Sequence, residues 1–151
     1  MKIFIGTDHR GVEVQNQIAN YLNELGVEVI ISSIKHTDAD DYPDFAFDVC
    51  KSVLENKDSL GILICGTGIG MSIAANKVKG IRAARCINTD DAYFARCHND
   101  ANVLCISSNN SISELYQIVD SFLNTQGATE ERHLKRIEKI IKYENGEYNE
   151  L

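Results

Sequence analysis

The chain has 151 residues, 44% apolar and 25% charged, with a formal net charge of −7. That length fits one domain, residues 1–151, which buries roughly 70% of its unfolded surface without a staple. An acidic chain gains no long-range attraction to a polyanion, so nucleic acid is excluded as a partner and any anionic substrate must be held by local donors.

In chain order, apolar β-rich runs alternate with helical patterns. Lys2–Gly6 reads as a first strand. Val14, Ile18, Tyr21, Leu22 and Leu25 then recur at helical spacing, and Gly26 suits a helix C-terminus. Val27–Ile31 is a second strand. Pro43, the only proline, fits the first turn of a helix carrying Phe45, Ala46, Val49 and Val53. Leu60–Cys65 is a third strand, and Gly66–Gly70 opens the next helix. Arg82–Cys86 and Val103–Ser107 read as strands four and five, with a helix near Thr89–Cys97 between them. Ser111-Ile112-Ser113-Glu114 is a capping box ahead of a helix with Leu115, Ile118, Val119 and Phe122 on one face. A last helix runs from about Glu130 to Tyr143.

Strand–helix alternation with short connections predicts a parallel sheet covered on both faces. Ligands of such sheets bind beyond the carboxyl ends of the strands. That rule directs attention to Thr7–Gly11, Cys65–Gly70, Ile87–Asp91 and Ser107–Ser111.

The five cysteines are odd in number and form no Cys-x-x-Cys. They predict free thiols in a reducing, cytoplasmic setting. No leader pattern follows Met1, and no apolar run reaches the ~18 residues that span a bilayer, so no membrane contact is expected.

Cys65-Gly66-Thr67-Gly68-Ile69-Gly70 follows a buried strand and precedes a helix. Glycines there let backbone approach a ligand, and successive N–H groups form an anion nest. The glycines at 66, 68 and 70 match neither the dinucleotide fingerprint nor a P-loop, and alone they also fit a tight turn. Cys65 faces the nest from the strand end, where a helix N-terminus favours a thiolate able to take a proton from carbon. The resulting oxyanion would be held by the loop N–H groups. Cys50, Cys86 and Cys105 read as structural, and Cys97 as core.

Asp8 and His9 close the first strand, where Asp8 could equally cap the following helix. His98-Asn99-Asp100 precedes strand five, and its histidine can exchange a proton with a ring oxygen. Arg132 and Arg136 share one face of the last helix, beside a separate stripe of Leu134, Ile137 and Ile141. Two guanidinium groups suit a phosphate, and a solvated face paired with Glu130 and Glu131 suits them as well. His36 lies in a polar loop without a supporting pattern.

Together these segments resemble the ribose-5-phosphate isomerase B and galactose-6-phosphate isomerase family. The matching stretches are Asp8-His9-x-Gly11, Asp41-Tyr42-Pro43, Cys65–Gly70 with Ser72–Lys77, Gly80–Ala83, His98–Val103, and Arg132-His133 with Arg136. They occur in order and span nearly the whole chain. The resemblance implies a three-layer α/β/α sandwich with a five-stranded, Rossmann-like parallel sheet. It implies a homodimer or dimer of dimers with shared active sites, the C-terminal helix at the dimer interface, and neither metal nor cofactor. It further implies an aldose–ketose isomerase of ribose 5-phosphate and ribulose 5-phosphate, working through an enediolate.

By the same resemblance Cys65 is the base, His98 opens the sugar ring, and Thr67 joins them as a catalytic residue. Asp8, His9, Tyr42, Gly66, Gly68, Ile69, Gly70 and Asn99 contact the substrate, and Arg132 and Arg136 bind its phosphate. The His98-Asn99 pair would come from the partner subunit. This chain departs from the family at Asn109, where an arginine is common, and at Glu130-Glu131, where Gly-Gly is usual. The alternatives are an isomerase of allose or galactose 6-phosphate, and a flavodoxin-like binding module. The second is disfavoured by the absence of Trp and of any aromatic in the glycine loop.

Overall fold

The computed structural model describes residues 1–150. Strands β1 (Lys2–Thr7), β2 (Glu28–Ile31), β3 (Leu60–Cys65), β4 (Ala83–Arg85) and β5 (Val103–Ser107) alternate with helices α1 (Val12–Glu24), α2 (Tyr42–Glu55), α3 (Ile69–Asn76), α4 (Thr89–Cys97) and α5 (Ile112–Asn124). Helix α6 (Glu131–Glu144) closes the chain. The five strands form one wholly parallel sheet in the order β2-β1-β3-β5-β4. The last two strands are exchanged relative to sequence order, which puts the short β4 at an edge.

The side-chain period of two sorts each strand onto two cores. Ile3, Ile5, Ile62, Ile64, Leu104 and Ile106 face Ile18 and Leu22 of α1, Ala92 and Ala95 of α4, and Leu115 and Phe122 of α5. Phe4, Leu63, Cys65, Val103 and Cys105 face Phe45, Val49 and Cys50 of α2 and Met71, Ala74 and Ala75 of α3. This is the expected three-layer sandwich. It also decides which way Cys65 looks: toward the layer of α2 and α3, at the point where α3 begins.

The structure trims the expected ends. Val27 lies outside β2, and Arg82 and Cys86 lie outside β4. Gly26 ends the first helical segment as predicted, at φ +82°, while the Val27 N–H reaches back to the Leu22 carbonyl. The capping box is half formed. Ser111 Oγ accepts the Glu114 N–H at 3.2 Å, but the Glu114 carboxylate takes its hydrogen bond from Asn110 Nδ2 instead. On α6, Ile137 is buried whereas Leu134 and Ile141 are exposed, so the expected apolar stripe is only partly covered within this chain. No helix among the described residues is long and apolar enough to cross a membrane.

Candidate active site

The carboxyl ends of β1 and β3 adjoin at the centre of the sheet, where the chain crosses to opposite faces on leaving them. Cys65 ends β3 with its side chain almost fully buried. Its sulfur accepts the Gly68 N–H at 3.1 Å. Gly68 adopts φ +77°, and a Cβ there would lie 3.1 Å from the Ile106 backbone, so only glycine turns the chain back onto the sulfur without strain. A Cβ on Gly66, by contrast, would meet nothing within 4 Å, which leaves that side of the loop open to a ligand. Ile69, exposed, gives its N–H to Thr67 Oγ1 at 3.2 Å. Tyr42 covers Gly70, its ring 2.6 Å from where a Cβ would stand.

The loop is braced from outside. The Gly66 carbonyl accepts from Ser107 Oγ at 2.6 Å and Asn109 Nδ2 at 2.9 Å, and the Thr67 carbonyl accepts from Arg85 Nε at 2.9 Å. In a trans peptide the N–H points opposite to the C=O. The N–H groups of Thr67 and Gly68 are therefore turned away from these braces, and among the described residues only that of Gly68 finds an acceptor. Asn109 thus serves the loop at the position where the resemblance led one to expect an arginine.

Asp8 does cap, its carboxylate accepting the Arg10 N–H at 3.0 Å, yet it stays buried at the sheet's carboxyl edge. His9 is fixed by a residue that sequence reasoning passed over. Asp40 Oδ1 accepts the His9 N–H at 2.8 Å and lies 2.7 Å from His9 Nδ1. Its other oxygen meets His36 Nδ1 at 2.9 Å and the Thr37 N–H at 3.1 Å. Burial acts to raise the Asp40 pKa, but the hydrogen bonds from His9, His36 and Thr37 outweigh it and hold the carboxyl well below the usual range. His36, set aside from sequence alone, stacks on Phe45 at 4.8 Å. The only sequence signal for this pair was the spacing His36-x-x-x-Asp40.

Cys65, Gly66, Thr67, Gly68, Ile69, Gly70, Asp8, His9 and Tyr42 thus form one group. The remaining predicted residues lie elsewhere. His98 caps the carboxyl end of α4, which returns the chain to the start of β5. Val103 pairs with Gly61 and Ser107 with Cys65, so His98 and Asn99 sit at the amino end of the sheet. Four residue steps along β3, at ~3.3 Å each, put roughly 13 Å between the two ends. The His98 ring stacks on His133 at 4.2 Å. Burial first, then His98 and Arg132 and, more weakly, Arg136, push the His133 pKa down against the opposing pull of Glu130. Arg132 is paired with Glu130 at 2.9 Å, as the solvated-face reading allowed, and Arg136 has no ion-pair partner among the described residues. Asp100, at φ +46°, bonds Arg82 and Arg96, and Asn99 gives its carbonyl to Arg82.

Burial pushes Cys50 and Cys86 up to about 12 and Cys105 well above its ordinary value, which keeps all three protonated and inert.

A thiol beside an open glycine loop, at the central crevice of a parallel α/β sheet, is the candidate site of an α/β enzyme. The Ribose/Galactose Isomerase family model matches residues 3–140, and the chain belongs to that family. It is 48% identical over 147 residues to a probable ribose-5-phosphate isomerase B of Mycoplasma genitalium, covering 94% of this chain and 95% of that protein. It is 43% identical to the ribose-5-phosphate isomerase B of Escherichia coli, covering 95% and 96%. A crystal structure of the Mycoplasma genitalium enzyme with bound ribulose 5-phosphate superposes with a TM-score of 0.90 at 46% identity, covering 95% of this chain and 96% of that one. The Clostridium thermocellum ribose-5-phosphate isomerase B also gives 0.90, at 42% identity, covering 97% and 99%. The protein is accordingly an isomerase.

Proposed function

We propose that the protein interconverts ribose 5-phosphate and ribulose 5-phosphate, with Cys65 as the base. The carrying observation is the Cys65 sulfur at the strand end, held by the Gly68 N–H beside a loop whose Gly66 face is open. An aldose becomes a ketose when a proton leaves C2 and returns to C1, and one thiolate within reach of both carbons performs both transfers. Negative charge gathers on oxygen in the enediolate, where preset N–H donors lower the barrier. General-base transfer contributes roughly 10²–10⁴-fold, so the loop supplies much of the rest.

The separation of the residues supports a shared site. His98, Asn99, Arg132 and Arg136 stand at the opposite end of the sheet from Cys65, too far for direct proton transfer within one chain. A two-fold pairing of copies brings one chain's amino-end group to the other's carboxyl-end group, twice. In that dimer, His98 of the partner subunit opens the furanose ring, Asn99 of the partner subunit contacts the sugar, and the partner's Arg132 and Arg136 hold the phosphate. Asp8, His9 and Tyr42 line the sugar pocket, and Thr67 and Ile69 complete the loop.

The test is a coupled aldose-to-ketose assay over five- and six-carbon sugar phosphates. Turnover of ribose 5-phosphate well above the others supports the reading. Preference for allose or galactose 6-phosphate would keep the chemistry and replace the substrate.

A further inference from the structure

The Thr67–Gly68 peptide carries two hydrogen bonds, one at each end. Its carbonyl accepts from Arg85 Nε at 2.9 Å, and its N–H donates to Cys65 Sγ at 3.1 Å. Arg85 ends the edge strand β4, is exposed, and has no carboxylate within ion-pair distance among the described residues. Its charge is therefore spent on this carbonyl. A cation on a peptide oxygen draws electron density toward that oxygen and makes the N–H of the same unit a stronger donor.

We propose that Arg85 is a positioning residue for Cys65, strengthening through the Thr67–Gly68 peptide the hydrogen bond that the Gly68 N–H gives the sulfur. This rests on the reading of Cys65 as the base. His9 turns its ring to Asp40, whereas Arg85 is bonded to the very peptide whose N–H meets the sulfur. α3 contributes no charged side chain over Ile69–Asn76. From α2 and β5 come the thiols of Cys50 and Cys105, both kept protonated by burial. Tyr42 stands over Gly70, and Asp8 at the end of β1 is engaged by the Arg10 N–H.

The experiment is timed alkylation of Cys65 by iodoacetamide, read by mass spectrometry on its peptide, in wild type, Arg85→Gln and Arg85→Lys. At pH 7 Arg85→Gln should slow labelling about three- to fivefold, the scale of one unit charge at a partly exposed site. At pH 10 the rates should converge. Arg85→Lys, which keeps the charge, should stay within about twofold of wild type. The isomerase kcat should fall with KM little changed in Arg85→Gln. Equal labelling of wild type and Arg85→Gln at pH 7 would overturn the proposal. So would slowing of the same size at both pH values, because that reports loop access and not charge, or slowing by Arg85→Lys as large as by Arg85→Gln. Labelling does not depend on turnover. If Cys65→Ala kept isomerase activity while the labelling contrast held, the base assignment alone would fail.

Discussion

At the scale of single residues, reactivity is decided by what each thiol and carboxylate touches. Cys50, Cys86 and Cys105 are surrounded by apolar side chains, whereas Cys65 accepts an N–H at the rim of an open loop. Cys65→Ala is expected to lower isomerisation about 10³-fold or more with an unchanged circular dichroism spectrum, since the proposed base is lost while the loop N–H groups stay in place. Iodoacetate should label Cys65 before the other cysteines, and labelling led by Cys97 would contradict this. Asp40 acts one step back from the site, by fixing the ring of His9. Asp40→Asn should raise KM for the sugar phosphate about 10-fold, the scale of one charge-assisted hydrogen bond, with a smaller change in kcat. Steady-state kinetics at saturating and sub-saturating substrate separates the two effects.

At the scale of elements, the β3–α3 loop and α6 carry opposite kinds of constraint. Two glycines of the loop should respond differently to the same methyl group. Gly68→Ala forces a Cβ into the left-handed region against the Ile106 backbone, and should cost about 1–2 kcal/mol of stability as well as activity. Gly66→Ala meets no protein atom, so its stability should stay within about 0.5 kcal/mol of wild type while activity falls through lost ligand approach. Urea denaturation with parallel assays distinguishes them. Helix α6 is anchored by buried His133 against His98 and by Glu144, which accepts the Gly80 N–H at 2.9 Å. The folded-state pKa of His133 is depressed, first by burial. The unfolded chain then takes up the proton at the ordinary value of 6.5, before the folded chain does. Its contribution to stability is present above that pH and is lost as pH falls below it. Melting temperature should drop from pH 7 to pH 5 more steeply in wild type than in His133→Phe.

At the scale of the whole molecule, the parallel sheet sets the two groups of site residues at its two ends, and complementation tests whether pairing reunites them. In the proposed two-fold dimer, Cys65→Ala and His98→Asn proteins should each be nearly inactive alone. In a mixed dimer one site carries both substitutions and the other carries neither. Random exchange of subunits makes half the dimers mixed, so the mixture should recover about a quarter of wild-type activity. A mixture as inactive as its components would place both residues in one chain's site, or in none.

The order of strands and helices, the parallel sheet, the Cys65–Gly70 loop and the start of α5 were legible in the sequence, because each follows from local patterning. Period-two and period-3.6 apolar spacing, glycine after a strand and a cap before a helix are all short-range signals. The role of Asp40 was not legible, since a carboxylate 31 residues from His9 acquires its partner only when the chain between β2 and α2 folds over the carboxyl end of β1. The Arg85 brace was hidden for the same reason, as was Asn109 taking over the Gly66 carbonyl: each joins elements that become neighbours only through the strand order β3-β5-β4. The separation of Cys65 from His98 was likewise a matter of direction along a sheet, which residue types do not encode. Local chemistry chose the reactive groups, and the tertiary fold decided which of them meet.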